Sequence, residues 1–269
     1  MQIAPAKNNS SSRSCPICFE NKSEKIDAYS RDHWLIERCF NCGHVYLKNP
    51  PGYGALEEDF AWEKTYVAEH ERRLAESPIL YRLDVATRVR HSAFRKSMED
   101  KWKTWFGKGA VLDIGCGSAA NNYPGFTPYG IEISKELAAK ADKKMHLSGG
   151  YCIFGPGAEA IGKFDADMFD GIVMSSYLEH EEEPQKVLNG AARSLKQKGK
   201  IYVRVPNFNS LGRKLAGKKW CGFRYPDHVN YFTVADLDRL ASKCDLEVNL
   251  LNPIRLPFDD NINALLRKK

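Results

Sequence analysis

Two short cysteine pairs near the N-terminus, Cys15-Pro-Ile-Cys18 and Cys39-Phe-Asn-Cys42, restrict this chain more than any other feature. Their C-x2-C-x20-C-x2-C spacing is that of a four-cysteine metal site. Each pair can turn two thiolates toward one tetrahedral ion at about 2.3 Å, and the residues between the pairs suffice for strands that bring the two turns together. Zinc is the expected ion. Iron on the same ligands and disulfides are the alternatives, the latter disfavoured in a cytosolic setting. Four thiolates close the coordination shell, so such a site is structural rather than catalytic. His33 and His44, close by, are then expected to be surface or loop residues, and Cys116, Cys152, Cys221 and Cys244 stand singly.

The chain has 269 residues, which leaves room for one substantial core beside a cysteine-rich appendage. Its hydrophobic content of 43% and mean hydropathy of −0.48 place it among globular proteins. No apolar run approaches the roughly 20 residues that cross a bilayer, and MQIAPAKNNSSSRS lacks the apolar stretch of a secretory signal. A cytoplasmic protein without a membrane partner is expected. Composition divides the chain in three. Residues 1–54 read as a zinc ribbon that leaves through the turn-rich Pro50-Pro51-Gly52-Tyr53-Gly54. Residues 55–108 read as a helical linker or lid, because 56–106 hold no glycine and interleave charged with apolar residues. Residues 109–269 form the third and largest part.

In that part short apolar runs, AVLDIG, YGIEI, YCIFG, FDGIVMSS and KIYVRV, alternate with the helical patterns SKELAAKADKKM and EPQKVLNGAARSLKQK. TVADLDRLASKC follows as a helix with Thr233 as its N-cap, and LEVNLL and INALL close the series as strands. Strands alternating with helices imply a sheet covered on both faces. The expected fold is α/β, a doubly wound, mostly parallel, seven-stranded sheet.

The first of these strands ends in Asp113-Ile114-Gly115-Cys116-Gly117, and the second in Gly130-Ile131-Glu132-Ile133-Ser134. Two glycines at a strand-to-helix turn let the backbone approach a ligand, and an acidic side chain ending the next strand can accept hydrogen bonds from a ribose diol. Gly115, Gly117 and Ala120 also satisfy the looser dinucleotide pattern. Asp113 argues against it, because a carboxylate there would repel a pyrophosphate but suits a cationic, phosphate-free nucleoside.

Taken in order, VLDIGCGSA, GIEIS, FDGIVMSSYLEH and LKQKGKIYVRVPN resemble the class I S-adenosylmethionine-dependent methyltransferases, over roughly residues 109–269. The N-terminal CPIC…CFNCGHVYLKNPP resembles the zinc ribbon that precedes many small-molecule methyltransferases of this superfamily. The resemblance implies S-adenosylmethionine as cofactor. By it, Gly115 and Gly117 face the methionine moiety, Asp113 supports the loop and the amino group, and Glu132 binds the ribose. Ala158 and Glu159 would lie beside the adenine, Ser175 and Ser176 would line the pocket, and Cys116 and Ile133 complete the set. One departure stands out: SAANNYPGFTPY, between Gly117 and Gly130, is rich in poor helix formers, so the first helix of the fold is expected to be short or distorted.

After the fifth strand comes FRYPDHVNYFT, similar to a segment of family members that act on small metabolites, sugars and lipid precursors. His228 is the first candidate for a general base or acceptor-binding residue, and Tyr231 the second; a histidine that only fixes this loop is the alternative. His180 carries the same ambiguity, and Glu179 beside it could hold a helix terminus. The fourth strand ends MSSYLEH, without the Asn/Asp-Pro-Pro-aromatic or Pro-Cys patterns of members that methylate bases. Residues 184–226 hold eleven basic side chains and no acidic one in a chain of net charge +6, which suits either an anionic, phosphorylated acceptor or a solvated face. The expected function is methyl transfer to oxygen or nitrogen of a small molecule. An RNA methyltransferase and a non-catalytic zinc-ribbon scaffold are the two other readings.

Overall fold

A computed structural model describes residues 12–54, 97–251 and 260–269. The expected linker therefore lies outside the described residues, except for its last helix, α1 (Met98–Phe106). Ser97 caps α1 by accepting from the Asp100 amide at 3.1 Å, and Trp102 and Phe106 are the residues it buries, in one cluster with Val111, Phe126 and Tyr202.

The strands β4 (Gly109–Ile114), β5 (Phe126–Glu132), β6 (Cys152–Phe154), β7 (Phe169–Ser175), β8 (Leu195–Pro206), β10 (Leu246–Leu250) and β11 (Asn261–Lys268) form one sheet in the order β10-β11-β8-β7-β4-β5-β6. The pairs joining β4 to β8 are parallel, and β11 runs antiparallel to both its neighbours. The doubly wound, mostly parallel seven-stranded sheet is the one expected. Helices α2 (Lys135–His146), α3 (Gly157–Ala160), α4 (Pro184–Ser194), α5 (Leu211–Ala216) and α6 (Val234–Ser242) follow or link the strands. Ile114, Ile131, Ile172 and Val203, from four neighbouring strands, are at most 1% exposed, which is why these strands read as continuous apolar runs.

Thr233 caps α6 through a capping box with Asp236, as its sequence suggests. The helix expected through Lys198 stops at Ser194. Leu195, fully buried, starts β8 opposite Phe169, and its burial in the sheet overrides the helical propensity of the lysines after it.

The N-terminal strands β1 (Ser23–Lys25), β2 (Ile36–Cys39) and β3 (Val45–Leu47) form an antiparallel ribbon. Its fourth strand comes from far along the chain: β9 (Asn230–Tyr231) pairs with β3, setting Val45 opposite Tyr231 and Tyr46 opposite Asn230.

Candidate functional site

At the end of β4 the backbone enters two left-handed positions, Gly115 at φ 76° and Gly117 at φ 56°. A Cβ on Gly115 would come within 3.0 Å of Tyr177 Cδ2, whereas one on Gly117 would meet nothing within 4 Å, so the loop is packed on one side and open on the other. Glu132, 7% exposed at the end of β5, ties this loop down by accepting from the Gly117 amide at 2.8 Å and the Ser134 amide at 2.9 Å. Ile133 beside it is half-buried, and Cys116 Sγ turns toward Cys152 Sγ, 3.7 Å away.

No helix lies between β4 and β5; residues 118–121 run as successive turns. This segment has its own employment. Asn121 donates to Asp113 Oδ2 at 3.2 Å and accepts from the Tyr123 hydroxyl at 3.0 Å. Burial, with the nearby charge of Glu132 as a lesser cause, pushes the Asp113 carboxyl up to about 7 against the pull of the Asn121 amide. Asp113, Gly115, Cys116, Gly117, Glu132 and Ile133 are thus brought together by the ends of two adjacent parallel strands. Ala158, buried, and Glu159, exposed, lie on α3 after β6. Ser175 ends β7, and Ser176, left-handed at φ 56°, accepts from Arg204 Nη1 at 3.0 Å.

After Ser176 the chain turns through residues whose grouping spacing alone does not reveal. Tyr177, packed on Gly115, donates its hydroxyl to Glu181, as does Tyr53 from the ribbon's exit. His180 and His228 meet edge to face, with centroids 4.7 Å apart. His180 Nδ1 lies 2.9 Å from the Asp227 carbonyl and His228 Nδ1 2.9 Å from the Gly222 carbonyl. A carbonyl only accepts, so in each ring Nδ1 carries the proton and Nε2 the lone pair. Burial, aided by the charge of Arg224, drives the His180 pKa down to about 3, and burial pushes Glu179 up to about 7. Glu179 does not hold a helix terminus as expected. Its backbone carbonyl accepts from the Val229 and Asn230 amides, and its side-chain Oε2 is buried without a hydrogen-bond partner among the described residues.

Tyr231 sits elsewhere, fully buried at the ribbon junction with Phe208, Trp220 and Phe223, its hydroxyl without a hydrogen-bond partner among the described residues. His228 and Tyr231, adjacent in the sequence argument, belong to different surroundings.

In the ribbon, Cys15, Cys18, Cys39 and Cys42 place their sulfurs within 4.8 Å of one another. Cys15 and Cys42 are 3.5 Å apart and Cys18 and Cys39 3.4 Å, each pair crossing between the two turns. Tetrahedral zinc thiolates have edges of about 3.8 Å, so the cage fits such an ion with small outward shifts. His33 is exposed as expected. His44, on the loop before β3, is fully buried, with Nδ1 3.4 Å from Asp236 Oδ2 at the start of α6.

The basic stretch is largely spent on internal contacts. Arg193 donates to the Phe164 carbonyl, Lys196 pairs with Asp170, Arg213 donates to the Phe208 carbonyl and Arg224 pairs with Asp227. Lys214, Lys218 and Lys219 remain exposed.

The chain resembles several known proteins. It is 29% identical over 173 residues, 64% of this chain and 74% of the relative, to an uncharacterised protein of Methanocaldococcus jannaschii. It is 28% identical over 176 residues, 58% of this chain and 76% of the relative, to a ubiquinone biosynthesis O-methyltransferase of Thiobacillus denitrificans. The crystal structure of a SAM-dependent methyltransferase from Archaeoglobus fulgidus superposes with a TM-score of 0.50 at 16% identity, over 67% of this chain and 98% of that one. A Pyrococcus horikoshii protein superposes with a TM-score of 0.50 at 19% identity, over 66% and 91%. These superpositions bear on the fold alone. The methyltransferase domain family matches residues 85–251, the stretch that carries the glycine loop, Glu132 and the His180–His228 pair. More than half of the chain falls within that match, and the protein belongs to this family as an S-adenosylmethionine-dependent methyltransferase.

Proposed function

We propose that the protein transfers a methyl group to an oxygen or nitrogen of a small molecule held between the glycine loop and the loop carrying His228. The observation that supports this most is the course of residues 176–181: the segment touches the glycine loop through Tyr177 and the acceptor loop through His180. A single turn of chain thus couples the two sides.

Bound S-adenosylmethionine supplies an electrophilic methyl group on a sulfonium ion. The chain's part is to bind, align and exclude water. Glu132, fixed at the end of β5 by the amides of Gly117 and Ser134, places a carboxylate where the ribose diol would lie. Asp113, held between charged and neutral by burial, gains a countercharge when an ammonium group enters the loop. The open face of Gly117 would admit the methionine moiety, Ala158 and Glu159 on α3 would flank the adenine, and Ser175 and Ser176 after β7 would close the far wall. On the acceptor side the Gly222 carbonyl orients His228 so that Nε2 offers its lone pair to the reacting group. Tyr231 acts from behind, through the aromatic cluster that carries the loop. The four cysteines hold zinc, which braces the ribbon against that loop.

Calorimetric titration of the zinc-loaded protein with S-adenosylhomocysteine tests the cofactor side. Binding by the parent and its loss in Glu132→Ala are expected; no binding by the parent removes the reading. On the acceptor side His228→Ala is expected to lower kcat at least a hundredfold with S-adenosylhomocysteine affinity unchanged.

A further inference from the structure

Outside the cysteine cage, one other group of potential metal ligands converges among the described residues: a carboxylate oxygen of Glu179 and one ring nitrogen each of His180 and His228 lie within 4.8 Å of one another. We infer that this trio is a second metal site, which takes a divalent first-row transition cation and presents it to the acceptor.

The ligand chemistry is mutually consistent. Both imidazoles have Nδ1–H committed to a backbone carbonyl, 2.9 Å away in each case, which is the arrangement that fixes a histidine with Nε2 as donor to a metal. Glu179 is 2% exposed, and its Oε2 is buried without a hydrogen-bond partner among the described residues. A carboxylate oxygen in that position costs several kcal/mol unless a proton, a donor or a cation meets it. Ligands at about 2.0–2.1 Å from a tetrahedral ion stand about 3.3 Å apart, so closure needs side-chain shifts of about an ångström or so. Arg204 and Arg224 act on the Glu179 carboxylate through their charge, while Arg224 Nη2 pairs with Asp227 at 2.6 Å and Arg204 Nη1 donates to Ser176 Oγ at 3.0 Å.

Two nitrogens and one oxygen favour zinc, cobalt, manganese or iron(II) over magnesium, which prefers all-oxygen shells. Three protein ligands leave coordination positions open, unlike the closed cysteine cage. An acceptor with a hydroxyl, or two adjacent ones, can occupy them, and the ion then lowers the hydroxyl pKa so that its proton leaves to solvent before the oxygen attacks. This inference rests on the acceptor-side reading above, with the His228 Nε2 lone pair acting on the acceptor through the ion instead of directly.

The test is metal analysis of the full chain after equilibrium dialysis against zinc. The parent is expected to retain a second ion beyond that of the cysteine cage, and both Glu179→Gln and His180→Gln are expected to lose it while still binding S-adenosylhomocysteine. A parent that holds only the cage ion, or variants that keep the second one, would overturn the inference. Both results are read alongside S-adenosylhomocysteine binding by the parent. If that fails, the methyltransferase reading falls separately from the metal site.

Discussion

Asp113 links a buried charge to a measurable pH dependence. Its folded pKa of about 7 lies above the ordinary carboxylate value of 3.8. Between those values the folded state binds more protons than the unfolded one, so the stability of the cofactor-free protein falls as pH rises through that window and levels off above it. Asp113→Asn is expected to flatten this slope and to raise stability at pH 8 by on the order of 2–4 kcal/mol, with no gain near pH 4. Urea unfolding at the two pH values checks it. The same substitution weakens S-adenosylhomocysteine binding, the trade expected of a group kept for function. Asp113, Gly115, Gly117 and Glu132 could be read from sequence because a strand-to-turn junction is local. Arg13 could not. It is half-buried and donates to the carbonyls of Leu47, Glu182 and Val229 and to Asn230 Oδ1, partners scattered along the whole chain. Arg13→Ala is expected to destabilise the protein by about 2–4 kcal/mol in thermal or urea melts, since four acceptors lose their donor at once.

Among the elements, the turn-rich stretch after the glycine loop stands out because the family's usual helix is missing there. Asn121, Asn122, Pro124 and Gly125 announced that absence through propensity. What propensity could not announce is the compensating bond from Asn121 to Asp113. With no helix behind it, the loop is held by Glu132 and by its packing on Tyr177. Gly115→Ala, strained at φ 76° and crowded by Tyr177, is therefore expected to abolish S-adenosylhomocysteine binding in calorimetry while circular dichroism stays unchanged. The basic stretch was legible as charge but not as charge already in use. Its exposed remainder beside α5 gives the narrower expectation that Lys218→Glu with Lys219→Glu raises KM for a phosphorylated acceptor and leaves kcat unaltered.

Across the whole molecule, the ribbon is joined to the acceptor side rather than tethered near it. β3 pairs with β9, Arg239 Nη1 donates to the Cys42 carbonyl at 3.3 Å, and Lys243 Nζ donates to the Ile17 carbonyl at 2.6 Å. His44 and Asp236 add a buried contact. Removing the proposed zinc with a chelator is accordingly expected to raise amide exchange at residues 228–233 and abolish turnover, with S-adenosylhomocysteine affinity kept, as hydrogen-exchange mass spectrometry and calorimetry would show. The cysteine spacing foretold the cage and the strand pattern foretold the sheet. Nothing periodic marks a two-residue strand whose partner lies some 185 positions away, so the joint between them was invisible. That joint also matters while the chain is being made. Synthesis at about 5–20 residues per second leaves about 10–40 s between the emergence of β3 and that of β9. For that interval the nascent ribbon carries a bare strand edge bearing Val45, Tyr46 and Leu47. At three residues that edge is too short to template much pairing with another chain, so its brevity guards the ribbon until β9 arrives.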